Sequence, residues 1–166
     1  IASCLVGSEM CIRDSSSIFQ FVFQELQQVL PSLPDQHSNK EGNYYGRITQ
    51  PVVNFLLAKL ALNAEIYMYD DWTQGYASRP KGSDIHFSVP ASDASLRNGD
   101  KVDCRKLNAW ETCIYYCDKL AEEGYVLESD DSFNFSTHNE TSKENIFTIP
   151  MDKNIYTNQF LSLIHI

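Results

Sequence analysis

The chain has 166 residues and carries 22 Asp+Glu against 13 Lys+Arg, a formal charge of −9. With 43% hydrophobic and 21% charged residues it is composed like one globular domain, not a disordered chain. The acidic balance, with no basic stripe, excludes the usual nucleic-acid binders, and no apolar run reaches the roughly 18 residues that cross a bilayer.

In chain order, the first stretch, Ile1 to Asp14, keeps neither helical spacing nor strand alternation. It resembles sequencing-adapter DNA translated in frame, and Leu161-Ser-Leu-Ile-His-Ile166 resembles the matching tail. Residues 1–16 and 161–166 are therefore expected to be artefact, and residues 17–160 to be part of a longer protein. Within them, Ser17 and Gln20 have capping-box spacing, and Phe19, Val22, Phe23, Leu26, Val29 and Leu30 predict a first helix that ends at Pro31 and Pro34.

Residues 35–47 predict a polar loop. Thr49 as N-cap and Pro51 in the first turn open a second helix to about Tyr69. Its apolar residues cover more than one face, so packing on several sides is expected. Ala58, Ala61 and Ala64 form a strip that admits a close neighbour. Residues 70–102 predict a long polar stretch in which 84–89 alternates like a short strand. A third helix is expected from about Arg105 to Glu123, with Trp110 in the core and Gly124 just past its end. Residues 128–142 predict a loop anchored by Phe133 and Phe135, and Asn145 to Ile149 predicts a short strand. Cys113 and Cys117, four apart on one helix, read as small buried hydrophobes. His37, His86 and His138 stand isolated, so no metal is proposed.

Four strings in this order resemble the SusD/RagB family of outer-membrane nutrient-binding lipoproteins. They are Gly46-Arg-Ile-Thr-Gln-Pro51, Leu56-Leu-Ala-Lys-Leu-Ala-Leu-Asn-Ala-Glu65, Cys117 through Gly124-Tyr-Val-Leu127, and Glu144-Asn-Ile-Phe-Thr-Ile149. The resemblance covers most of residues 17–160. It implies a mainly α fold, with tetratricopeptide-like helix pairs, long loops and short strands, present here in part. It also implies a cell-surface subunit of the outer membrane, held by a lipid anchor missing from this fragment. Such a subunit passes glycans or other nutrients to a SusC-like TonB-dependent transporter and is not an enzyme. Some relatives hold calcium, for which Asp152 offers an oxygen; no other cofactor is implied.

No ligand residue transfers by motif. From the residues themselves, Trp72 and Tyr76, with Asp70, Asp71 and Arg79 beside them, are the candidate sugar contacts: a ring packs on the C–H face of a pyranose while carboxylates accept hydroxyl protons. The other reading of Trp72 is a local anchor folded onto its helix end. Two further functions compete with nutrient binding. One is a protein-interaction scaffold of helix pairs. The other is a glycoside hydrolase built on Asp70-Asp71 or Asp130-Asp131, although adjacent acids in loops usually serve as caps or solvated surface.

Overall fold

The computed structural model describes residues 15–40, 42–90, 104–136 and 138–149, without the Trp72 side chain. Of the expected artefact stretches 1–16 and 161–166, residues 1–14 and 161–166 lie outside the described residues, as does Asp152, while Ser15 and Ser16 open the first helix. What is described is mostly helical, with one two-stranded antiparallel sheet.

Helix α1 spans Ser15–Val29 and runs into a 3-10 turn at Leu30–Ser32, where Pro31 falls. Only Phe19 and Phe23 on it are fully buried, while Ile18, Phe21, Val22 and Val29 face outward. The expected cap by Ser17 is replaced by one from far along the chain. Asp70 accepts hydrogen bonds from the Ser15 hydroxyl at 2.7 Å, the Ser16 amide at 2.9 Å and the Ser16 hydroxyl at 2.5 Å. A carboxylate on the free amides of a first turn satisfies them and complements the helix dipole.

Helix α2 spans Gln50–Leu62, with Pro51 in its first turn as the sequence predicts. It does not continue unbroken to Tyr69. Asn63 donates its side-chain amide to the Lys59 carbonyl at 2.8 Å, competing with the helical ladder, and one further turn, α3, follows at Ala64–Tyr67. Val52, Val53, Leu57, Ala58, Ala61 and Ala64 are buried. Phe55, Leu56 and Leu62, on the sides also expected to be packed, are exposed.

Strand β1, His86–Pro90, pairs antiparallel with β2, Cys104–Asn108, in the register Phe87 opposite Leu107 and Val89 opposite Arg105. Phe87 and Val89 alternate inward. Residues 105–108, expected to open the third helix, are therefore strand. Helix α4 begins at Ala109 and ends at Glu122. A capping box sets that start: the Glu111 amide donates to Asn108 Oδ1 at 2.9 Å, and the Asn108 amide donates to Glu111 Oε2 at 2.9 Å.

The buried face of the helix also differs from the one expected. Its buried face is Ala109, Thr112, Tyr116 and Leu120. Trp110, expected in the core, is 48% exposed and lies across Gly82, where an added Cβ would come within 2.4 Å of the indole nitrogen. Cys117 is exposed and Cys113 half-buried; both thiols are free. At the far end Gly124 takes φ 89°, Gly124 N donates to Ala121 O at 3.0 Å, and Tyr125 N donates to Leu120 O at 3.1 Å. That is a Schellman closure, which needs a residue without Cβ at the left-handed position.

The core lies between α1, α2, β1 and α4, with α2 and α4 in the most extensive contact. The Phe23 and Phe87 rings stack at 4.3 Å between centroids, and Phe19 and Tyr116 meet them edge-on at 6.0 and 6.4 Å. Beyond α4 the chain turns through 3-10 pieces at Asp131–Phe135 and Asn139–Thr141. Residues 145–149 form no strand. Backbone amides nearby are taken by carboxylates instead: Glu128 N donates to Glu144 Oε2 at 3.0 Å and Lys143 N to Glu128 Oε1 at 2.7 Å. The loop is anchored by Asn134, bonded to Glu144 and Ser142 at 2.9 and 2.6 Å. Phe135, expected as an anchor, is 87% exposed.

Candidate functional site

The loop that follows α3 is wound into two short turns, Trp72–Gln74 and Tyr76–Ser78. Asp71 caps the first, accepting from the Thr73 amide at 3.1 Å, the Thr73 hydroxyl at 2.5 Å and the Gln74 side chain at 2.8 Å. Asp70 faces the other way, to the start of α1. Burial alone would raise its pKa, but the Ser16 and Ser15 hydroxyls and the Ser16 amide hold it below the usual carboxylate range. The Arg79 guanidinium lies 3.8 Å over the Tyr76 ring and pairs with Glu65 Oε2 at 3.1 Å. Glu65 also accepts from the Gly82 amide at 2.8 Å. Of the five sequence candidates, Tyr76 and Arg79 are thus brought together, and Asp70 and Asp71 point to two different helix starts. Of the acid pair at 130–131, Asp130 is likewise occupied with capping, accepting from the Ser132 amide at 2.9 Å.

A second place converges more polar groups, and it draws on α1, α2 and α4. A cleft of about 560 Å³ opens between the end of α1, the Leu30–Ser32 turn, the start of α2 and the last turns of α4. Gln27, Pro31, Asp35, Gln50, Asn54 and Glu123 are among the residues that line it, with Tyr115 and Tyr116 as an aromatic wall. Its amide nitrogens are committed to the protein. Gln27 Nε2 donates to Ser88 O at 2.8 Å and to Tyr116 Oη at 3.0 Å. Gln50 Nε2 donates to Leu33 O at 2.8 Å, and Asn54 Nδ2 to Glu123 Oε1 at 3.1 Å.

Glu123 is the unusual group at this junction. Its second oxygen is buried without a partner among the described residues. Burial, then the negative charge of Asp35, push its carboxyl up to about 7, against the Asn54 hydrogen bond and the charge of Lys119. Behind it His37 Nε2 lies 3.0 Å from the Glu123 carbonyl, and the His37 ring stacks on Tyr125 at 4.5 Å. The Tyr125 hydroxyl is also buried without a described partner, and burial, with Glu123 and Asp35 nearby, pushes it up to about 12. Sequence reading treated His37 as isolated, and Asn54 and Glu123 as ordinary helix residues. The only legible hint was Asn54, a polar side chain among the apolar residues of α2.

A third concavity, a groove of about 680 Å³, is apolar. Val52, Phe55 and Leu56 of α2 face Val126, Leu127, Phe135 and Phe147 across it. Among the described residues, no three His, Cys, Asp or Glu side chains converge as metal ligands. No helix among them is long and apolar enough to cross a membrane. No family model, curated protein or solved structure matches this chain.

Proposed function

We propose that the chain is part of a non-catalytic nutrient-binding subunit of the outer-membrane surface. In this reading glycans are its ligands and a SusC-like TonB-dependent transporter is its partner. The observation that carries the reading is the ordered set of four SusD/RagB-like strings. The places of three of the strings in the fold are in keeping with it, because each of those three serves a junction between elements. Gly46, at φ 69°, turns the chain back and donates its amide to Ser38 O at 2.8 Å. Thr49 and Pro51 start α2, and Gly124-Tyr125 close α4 beside His37. Glu144 of the last string ties the 126–128 segment to Asn134. In the same reading α2 and α4 are one tetratricopeptide-like pair, and the acidic, aromatic surface suits neutral ligands.

The test is calorimetry of the complete protein against a broad panel of neutral glycans, paired with a pull-down from outer membranes. Glycan binding without turnover, together with recovery of a TonB-dependent transporter, is the expected result. Failure to bind any glycan removes the ligand class, and hydrolysis of one replaces the reading with a hydrolase. The apolar groove beside α2 and the exposed Trp110 and Ile114 of α4 favour a second reading, a helix-pair scaffold for protein partners. Recovery of soluble partners and no transporter would establish that one.

A further inference from the structure

The surfaces of the molecule differ in what they still have to offer. The 70–79 loop has turned its two carboxylates onto its own backbone and onto α1. The apolar groove carries nothing that identifies an occupant. The α1–α2–α4 cleft has a definite residual chemistry. Gln27 spends both amide protons on Ser88 and Tyr116, and Gln50 and Asn54 each spend one on Leu33 and Glu123. The carbonyl oxygens of the three amides accept no hydrogen bond among the described residues, so the cleft presents three acceptors beside one remaining amide proton each on Gln50 and Asn54. Its charged residues are Asp35, Glu122, Glu123 and Lys119, and Lys119 pairs with Glu122 at 3.4 Å. Phosphate, sulfate or carboxylate would meet acceptors and negative charge.

We propose that this cleft is a binding site for a neutral, hydroxyl-rich ligand of mono- to disaccharide size, held by the oxygens of Gln27, Gln50 and Asn54 against the Tyr115 ring, with Tyr116 buried behind it. This rests on the nutrient-binding reading and moves the ligand from the 70–79 loop to the cleft. The volume falls in the range of small-molecule sites, about 300–1,000 Å³. Sugar hydroxyls supply the donors that the three carbonyl oxygens lack. Glu123, sharing its first oxygen with Asn54, stays protonated up to near-neutral pH and keeps the cleft from becoming strongly anionic. This favours a neutral guest over an ammonium or guanidinium one.

The experiment is amide chemical-shift mapping of the full chain at pH 6.5 with maltose, cellobiose and xylobiose. Glucuronate serves as the anionic probe and putrescine as the cationic one. Shifts at Gln27, Gln50, Asn54 and Tyr116 with a neutral sugar, and none with glucuronate, are expected. Gln50→Leu should weaken that binding at least five-fold with the thermal melt retained. Asp35→Asn, which removes charge but keeps an acceptor, should leave it within about two-fold. Putrescine binding in place of the sugars, or a ten-fold loss in Asp35→Asn, would overturn the proposal in favour of a cationic ligand. Sugar-induced shifts confined to residues 70–79 would overturn the cleft and leave the nutrient-binding reading standing. Absence of shifts with every sugar, alongside glycan binding by the complete protein in calorimetry, would do the same.

Discussion

The 70–79 loop and the cleft at the end of α4 are both polar, both contain tyrosines, and both hold more than one carboxylate. Asp70 apart, which caps α1, they differ in the range of their bonds. In the loop Asp71 reaches two and three residues ahead, Tyr69 reaches the Gly75 carbonyl, and Arg79 lies over Tyr76. In the cleft Asn54 meets Glu123, and Gln27 meets Tyr116. Local bonds satisfy a segment internally and leave it little to offer. Long-range bonds tie separate elements together and leave oxygens between them. A run of polar and aromatic residues in sequence is therefore a poor guide to where binding chemistry collects.

The widest gap between the two regions should appear in stability. Leu57, fully buried on the α2 face that packs toward α4, should cost about 3 kcal/mol on Leu57→Ala. Tyr76→Ala removes one exposed ring with a cation above it and should cost under about 0.5 kcal/mol. Urea unfolding of both variants measures the difference, and near-equal losses would mean that the loop belongs to the core. The next effect is a pH dependence. The carboxyl of Glu123 sits near 7 in the folded chain, against about 4.3 when unfolded. The folded state then holds the extra proton, so its stability is fully present below about pH 4.3 and falls as pH rises toward 7. Glu123→Gln should flatten that fall and raise stability at pH 8 by on the order of 1–2 kcal/mol, discounted for partial exposure. Melting temperatures from pH 5 to 8 read it, and an unchanged slope would place the titration elsewhere. The smallest of the three returns to the loop. Asp70→Ala should cost about 1 kcal/mol through the lost cap on α1. Because Asp70 is depressed, the wild-type advantage should be present above its unfolded value and fade as pH falls. A double-mutant cycle with Ser16→Ala separates the cap from simple loss of charge.

Much of the helical framework was legible. Phe19, Phe23 and Leu26 at helical spacing placed α1, Pro51 placed the start of α2, and Gly124 placed the end of α4. The strand at β1 was visible as an inward alternation of Phe87 and Val89. Its partner was misread, because Leu107, Trp110 and Ile114 keep a helical step that continues backward into β2. Asn108 and Glu111 carried the correct boundary, a capping pair that outweighs apolar spacing at a helix start. The start was expected four residues early, and apolar spacing also picked the wrong face, putting Trp110 inside when it lies across Gly82. The candidate cleft was not legible at all. Its lining residues are scattered from position 27 to 123, and nothing local marks a glutamine whose donors are already spent.

The sequence by itself determined where helices run and stop, because capping, proline geometry and apolar period act within a few residues of the chain. Tertiary structure alone decided which side of each helix is buried, since that depends on what packs against it. It decided too that Asp70 would cap α1 and that Glu123 would be held near neutrality. A carboxylate's partners and its distance from water are set by residues that can lie fifty or more positions away.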